Sequence, residues 1–120
     1  MPPRPFRLTP PRLSENDVEA QCKTVLALHS YLVIRLHAGV YQTLDGKRHI
    51  HGVPKGTPDY ACLHKYHRNF LLEVKRPGGE LSDDQKVQIA EIQRQYGLPI
   101  VVVEHVEQLG NFLARHEHPP

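Results

Sequence analysis

Three ionisable residues are set apart by type and spacing: Asp59, Glu73 and Lys75, within the stretch GTPDYACLHKYHRNFLLEVK. Glu73 and Lys75 stand two apart in an apolar run that reads as a strand, so their side chains share one face while Leu72 and Val74 take the other. DYACL reads as the partner strand, with HKYHRN as the polar turn between them. If Leu63 pairs with Asn69, a five-residue loop closes the hairpin and Asp59 falls directly opposite Glu73. Opposed residues have Cβ atoms about 4.5–5.5 Å apart, so two carboxylates there repel and need compensation. A bound divalent cation would supply it. Mg²⁺ or Mn²⁺ takes oxygen ligands, commonly one or two carboxylates with waters and substrate phosphate. The chemistry this predicts is metal-assisted phosphodiester hydrolysis, with Lys75 orienting the attacking water or stabilising charge on the phosphate.

The elements that must position these groups are legible from periodicity. Ser14 caps a first helix with Asp17 as its capping-box partner, and Val18, Cys22, Val25 and Leu26 form its buried stripe. Glu19 borders that stripe, whereas Glu15 points to solvent. YLVIRLHAGV reads as a strand ending near Arg35, and DGKRHIHGVPKGTP as a long loop or loose hairpin. PGGELS breaks the chain after FLLEVK. Ser82 then caps a second helix, with Gln85 as the capping-box residue, Ile89, Ile92 and Tyr96 as the inner face and Gly97 as the C-terminal cap. LPIVVVE reads as a strand buried on both sides, and VEQLGNFLARH as a closing helix. The order is helix, three strands, helix, strand, helix. FLLEVK, the second helix and PIVVVE form a βαβ unit with parallel strands. The expected fold is α/β, a central mixed sheet flanked by helices.

The motif set GTPD, then EVKRPGG followed by LS and Gln85, then YGLPIVVVEHVEQL, resembles the VRR-NUC branch (virus-type replication-repair nucleases) of the PD-(D/E)xK nuclease superfamily. The resemblance runs from about Glu15 to Leu113. It implies a restriction-endonuclease-like α/β core and an Mg²⁺- or Mn²⁺-dependent DNA endonuclease. It implies that Asp59 and Glu73 hold the metal with the main-chain carbonyl of Val74, and that Lys75 is the catalytic lysine. Gln85 matches a glutamine that borders the active site. Glu19 best matches a first-helix glutamate at the metal, with Glu15 as the fallback. Similarity to small junction resolvases implies a homodimer acting on branched, Holliday-junction-like DNA, and a bacterial or phage origin.

Length and composition set the remaining limits. A chain of 120 residues is one domain, here taken as 14–115, with a Pro/Arg-rich arm over 1–13 and a frayed tail over 116–120. Net charge of +2 does not by itself demand a nucleic-acid partner, but Lys47, Arg48, Lys55 and Arg76 flank the acidic pair in sequence and suit a DNA-attracting rim. Cys22 and Cys62 lie in apolar patterns and read as buried free thiols, which suits a reducing cytoplasm. No apolar run reaches membrane-spanning length, and no secretory signal opens the chain. The pairs His49/His51 and His64/His67 raise zinc chelation, without the cysteine pairs that usually accompany it. Two other functions stay open: a non-catalytic nucleic-acid-binding or dimerisation module with the same fold, and a hydrolase of another phosphoester such as a nucleotide. Against the latter, the chain lacks a phosphate loop of P-loop spacing.

Overall fold

A computed structural model describes residues 12–37 and 40–117; the side chains of residues 40, 41, 50 and 51 are not described. Most of the Pro/Arg-rich arm and the last three residues lie outside this range.

Helix α1 (Glu15–Leu28) opens as its sequence requires. Ser14 Oγ accepts the Asp17 N–H, and the Asp17 carboxylate accepts the Ser14 N–H in return, satisfying two donors that a helix start leaves unpaired. Val18, Cys22 and Leu26 recur one turn apart and are buried; Val25 packs at their edge. Strands β1 (Leu32–Arg35), β4 (Tyr60–Leu63), β5 (Phe70–Val74) and β6 (Ile100–Val103) form one sheet in the order β1-β4-β5-β6. The first two pairings are antiparallel and the last is parallel. Between β1 and β4, strands β2 (Val40–Gln42) and β3 (His49–His51) pair as a separate hairpin. Of the two readings of this segment, loop or loose hairpin, the hairpin is the one formed, and His49 and His51 lie in a strand rather than a loop.

Helices α1 and α3 (Val106–His116) cover one face of the sheet. There Tyr60, Cys62, Phe70, Leu72, Val74 and Val103 meet Val18, Cys22, Leu26, Leu109 and Leu113 in a single core. Both cysteines are free and buried, and burial pushes their thiols up to about 11 and about 12. Helix α2 (Asp83–Tyr96) links β5 to β6, so the predicted βαβ unit is present with its strands parallel. Ser82 caps it with Gln85, and Gly97 ends it in the left-handed conformation at φ 59°.

Three expectations need correction. Helix α2 has no fully buried residue: Ile89 and Ile92 are half-buried, but Tyr96, assigned to the inner face, is exposed. Strand β6 is not buried on both sides, because Val102 is partly open to solvent. The tail does not fray at residue 116. His116 completes α3, and Glu117 bonds to His29 Nδ1 at 2.9 Å, tying the chain end to the end of α1.

Candidate active site

The register of the central hairpin is Cys62↔Phe70, Ala61↔Leu71 and Tyr60↔Leu72, and one step further sets Asp59 against Glu73 as the sequence spacing requires. The regular ladder stops at Tyr60, two residues after Pro58, which is fully buried and has no N–H to donate. The side chains then take over the pairing. The Asp59 N–H donates to Glu73 Oε2 at 3.1 Å, and the Val74 N–H donates to Asp59 Oδ2 at 3.1 Å. On its other side the Asp59 carbonyl accepts the Leu36 N–H at 2.7 Å, which anchors this end of β4 to β1. Asp59 thus replaces the strand residue that Val74 would otherwise pair with.

Among the described residues Glu73 is the one charged residue in the buried set, with 2% of its surface exposed. Its Oε1 receives the Gln85 side-chain amide at 2.8 Å and faces Lys75 Nζ at 3.6 Å. Burial raises its carboxyl well above the ordinary range, the Asp59 charge raises it further, and Lys75 and the Asp59 N–H oppose both, leaving it at about 7. It can therefore change charge near neutrality. Gln85 has two tasks set by one amide group. Its Oε1 accepts the Ser82 N–H at 2.9 Å to complete the cap of α2, which leaves Nε2 to donate to Glu73. Glutamate at this position would close the same cap but present an acceptor, and a charge, to Glu73.

The donors around this point are hard oxygens: the Asp59 and Glu73 carboxylates, and the Val74 carbonyl. The N–H groups of residues 71 and 75 point to the β6 side, to the carbonyls of Pro99 just before β6 and Val103 in it, whereas Val74 directs its N–H to Asp59. Its carbonyl leaves the strand on that same side. This donor set suits Mg²⁺ or Mn²⁺ and not tetrahedral zinc. Among the described residues no three His, Cys, Asp or Glu side chains converge as a metal group. Mg²⁺ does not require three, since water and substrate phosphate complete its octahedron.

Not every predicted residue joins this cluster. Glu19 Oε1 accepts Arg35 Nη1 at 3.1 Å and pairs with Lys23 Nζ at 3.2 Å. Arg35 also donates to the Tyr60 hydroxyl at 2.8 Å, and both cations lie over the Tyr60 ring. The alternation of β4 puts Tyr60 on the α1 face, opposite to the Glu73 face, so Glu19 is held beside the carboxylate pair's neighbour and not against the pair itself. Glu15 is exposed in the first turn of α1. Of the basic residues, Lys55 pairs with Asp84 at 3.0 Å in the first turn of α2, one residue from Gln85. Arg76 is exposed directly after Lys75. Lys47 and Arg48 are exposed on the turn of the separate hairpin, where Asp45 and Thr43 accept their N–H groups.

Sequence reasoning overlooked two contributors. One is the Arg35–Tyr60 bond that claims Glu19. The other is Gly56, at φ 87° in a turn closed by the Thr57 N–H donating to the Pro54 carbonyl at 3.1 Å. The spacing PKGTP, with glycine in the third position of a type II turn, was the available signal for it.

No family model matches this chain, and no curated protein or solved structure matches it. Among the described residues no helix is long and apolar enough to cross a membrane.

Proposed function

We propose that the protein is a metal-dependent endodeoxyribonuclease, as its resemblance to VRR-NUC nucleases implies. One observation carries the reading: Asp59, Glu73, Lys75 and Gln85 come together at the open end of the β4–β5 hairpin, joined by the bonds described above. A buried carboxylate beside a second one is unfavourable unless its charge is used. Asp59, Glu73 and the Val74 carbonyl would hold Mg²⁺ or Mn²⁺, which when bound polarises a phosphoryl oxygen and lowers the pKa of water. Lys75, fixed beside Glu73, would orient the attacking water and face the charge that develops on the phosphate. Gln85 holds the Glu73 carboxylate in place from the other side. Lys55 and Arg76 would take the backbone of the strand on either side of the scissile phosphate, which favours recognition of shape over base sequence. Branched DNA as substrate and a homodimer as the working unit follow from the resemblance and belong to the same proposal.

The test is cleavage of labelled junctions, flaps, nicked and linear duplexes with Mg²⁺ or Mn²⁺, alongside sizing in solution. Cleavage should stop with EDTA, and Lys75→Ala should reduce it by at least about 10²-fold. Cleavage that survives Lys75→Ala would sink the mechanism. DNA binding with no cleavage of any substrate would favour the non-catalytic module.

A further inference from the structure

Gly56 meets the first turn of α2 more closely than any side chain allows. A Cβ placed on it would lie 2.4 Å from the Asp84 carbonyl oxygen, 2.7 Å from its carbon and 3.0 Å from the Gln85 nitrogen. These neighbours are backbone, and they belong to a capped helical turn that cannot retreat as a flexible side chain could. The same contact is flanked by the Lys55–Asp84 ion pair. Short, stiff stretches lead from it to both halves of the site. On the loop side, the Pro54–Thr57 turn and the buried Pro58 separate Gly56 from Asp59 by two residues. On the helix side, Asp84 is followed at once by Gln85, which donates to Glu73. Helix α2 has no fully buried residue of its own, so its position over the sheet depends on few contacts.

From this we propose that Gly56 is a positioning residue. By admitting backbone-to-backbone approach, it seats the first turn of α2 on the loop that carries Asp59 and so holds the Gln85 amide on Glu73. The inference rests on the reading of Glu73 as part of the active site. It goes beyond that reading by assigning a role to a residue with no functional group.

Gly56→Ala would impose two penalties, left-handed strain and collision. Gly78→Ala separates them, because Gly78 has φ 79° and nothing within 4 Å of its missing Cβ. The first measurement uses the unaltered chain: a nuclear Overhauser effect between the Gly56 Hα and the Gln85 amide proton is expected, and its absence overturns the proposal whether or not any variant folds. Next, the Gln85 side-chain amide resonances, assigned by their loss in Gln85→Ala, should move in Gly56→Ala and stay in place in Gly78→Ala. Equal behaviour of the two glycine variants overturns it. In cleavage assays, Gly56→Ala should lower kcat by about the 10–100-fold that loss of an outer partner costs, with little change in KM, and Gly56→Ala/Gln85→Ala should be no worse than Gln85→Ala alone. Additive losses would mean a structural role only. If the unaltered chain cuts no DNA, the nuclease reading fails, and the two resonance measurements still decide the role of Gly56.

Discussion

On one face of β5, Phe70, Leu72 and Val74 are almost wholly buried against α1, α3 and their neighbours. On the other face, Leu71, Glu73 and Lys75 point to the side where Gln85 of α2 arrives. That second face is covered only in part: Leu71 and Glu73 are buried on it. Leu32 and Ile34 of β1 are exposed on it, and so in part is Val102 of β6, which stands beside Glu73. The sheet therefore packs its core on one face and leaves the other, which carries the proposed site, less covered. Stability comes from the covered face, where burying an apolar side chain contributes about 1.5–3 kcal/mol. The open face can then carry a buried carboxylate that folding alone would not select.

The division makes graded predictions. Leu72→Ala should break the protein as a folded object, costing about 2–5 kcal/mol in denaturant unfolding, because it cuts into the core. The neighbouring site face should behave in the opposite way: Lys75→Ala should keep its cooperative melt while losing cleavage. If both substitutions unfold the chain, the two faces are not separable.

A smaller effect tests the burden that Glu73 places on the fold. Its carboxyl sits at about 7 in the folded chain against an ordinary 4.5. Between those values the unfolded chain has released the proton and the folded chain still holds it. Stability attributable to Glu73 should therefore be full below about pH 4.5, fall as pH rises toward 7, and level off above it. The total is at most roughly 3 kcal/mol. The check is the pH dependence of unfolding compared with Glu73→Gln, which removes the titration. Mg²⁺ should restore stability on the alkaline side, because binding favours the ionised carboxylate. A pH profile unchanged by Glu73→Gln would show that the site face imposes no such cost.

The smallest effects concern the rim. Lys55→Ala and Arg76→Ala should each weaken DNA binding several-fold and lower the slope of log affinity against log salt by about one, without altering the melt beyond about 0.5 kcal/mol. The Lys55–Asp84 pair is exposed, so its loss should matter to DNA more than to folding. Lys47→Ala and Arg48→Ala, on the separate hairpin, measure how far the basic surface extends.

Much of this was legible before any fold was known, for local reasons. Period-two alternation in FLLEVK separates Glu73 and Lys75 from Leu72 and Val74, and a hairpin of fixed loop length converts sequence spacing into opposition. Capping boxes announced Ser14 with Asp17 and Ser82 with Gln85, because each is satisfied within one turn. Glu19 was harder to place. Its position on α1 fixed which way it faces, but not that Arg35 and Lys23 would hold its carboxylate. Tyr96 and Val102 obeyed the apolar pattern of their elements yet lie open, since pattern reports what a face can bury and not whether anything covers it.

The hairpin register, the shared face of Glu73 and Lys75, and the caps follow from local order in the chain, since each depends on residues close to one another. Tertiary structure decided the rest. It brought α2 across the sheet so that one amide of Gln85 serves both a helix cap and Glu73. It buried Glu73 and so moved its carboxyl toward neutrality. It also brought Gly56 too close to the Asp84 backbone for a side chain to fit, an approach that no local rule contains. Burial and close approach are properties of how distant segments meet, and neither is written in the spacing of residues along one of them.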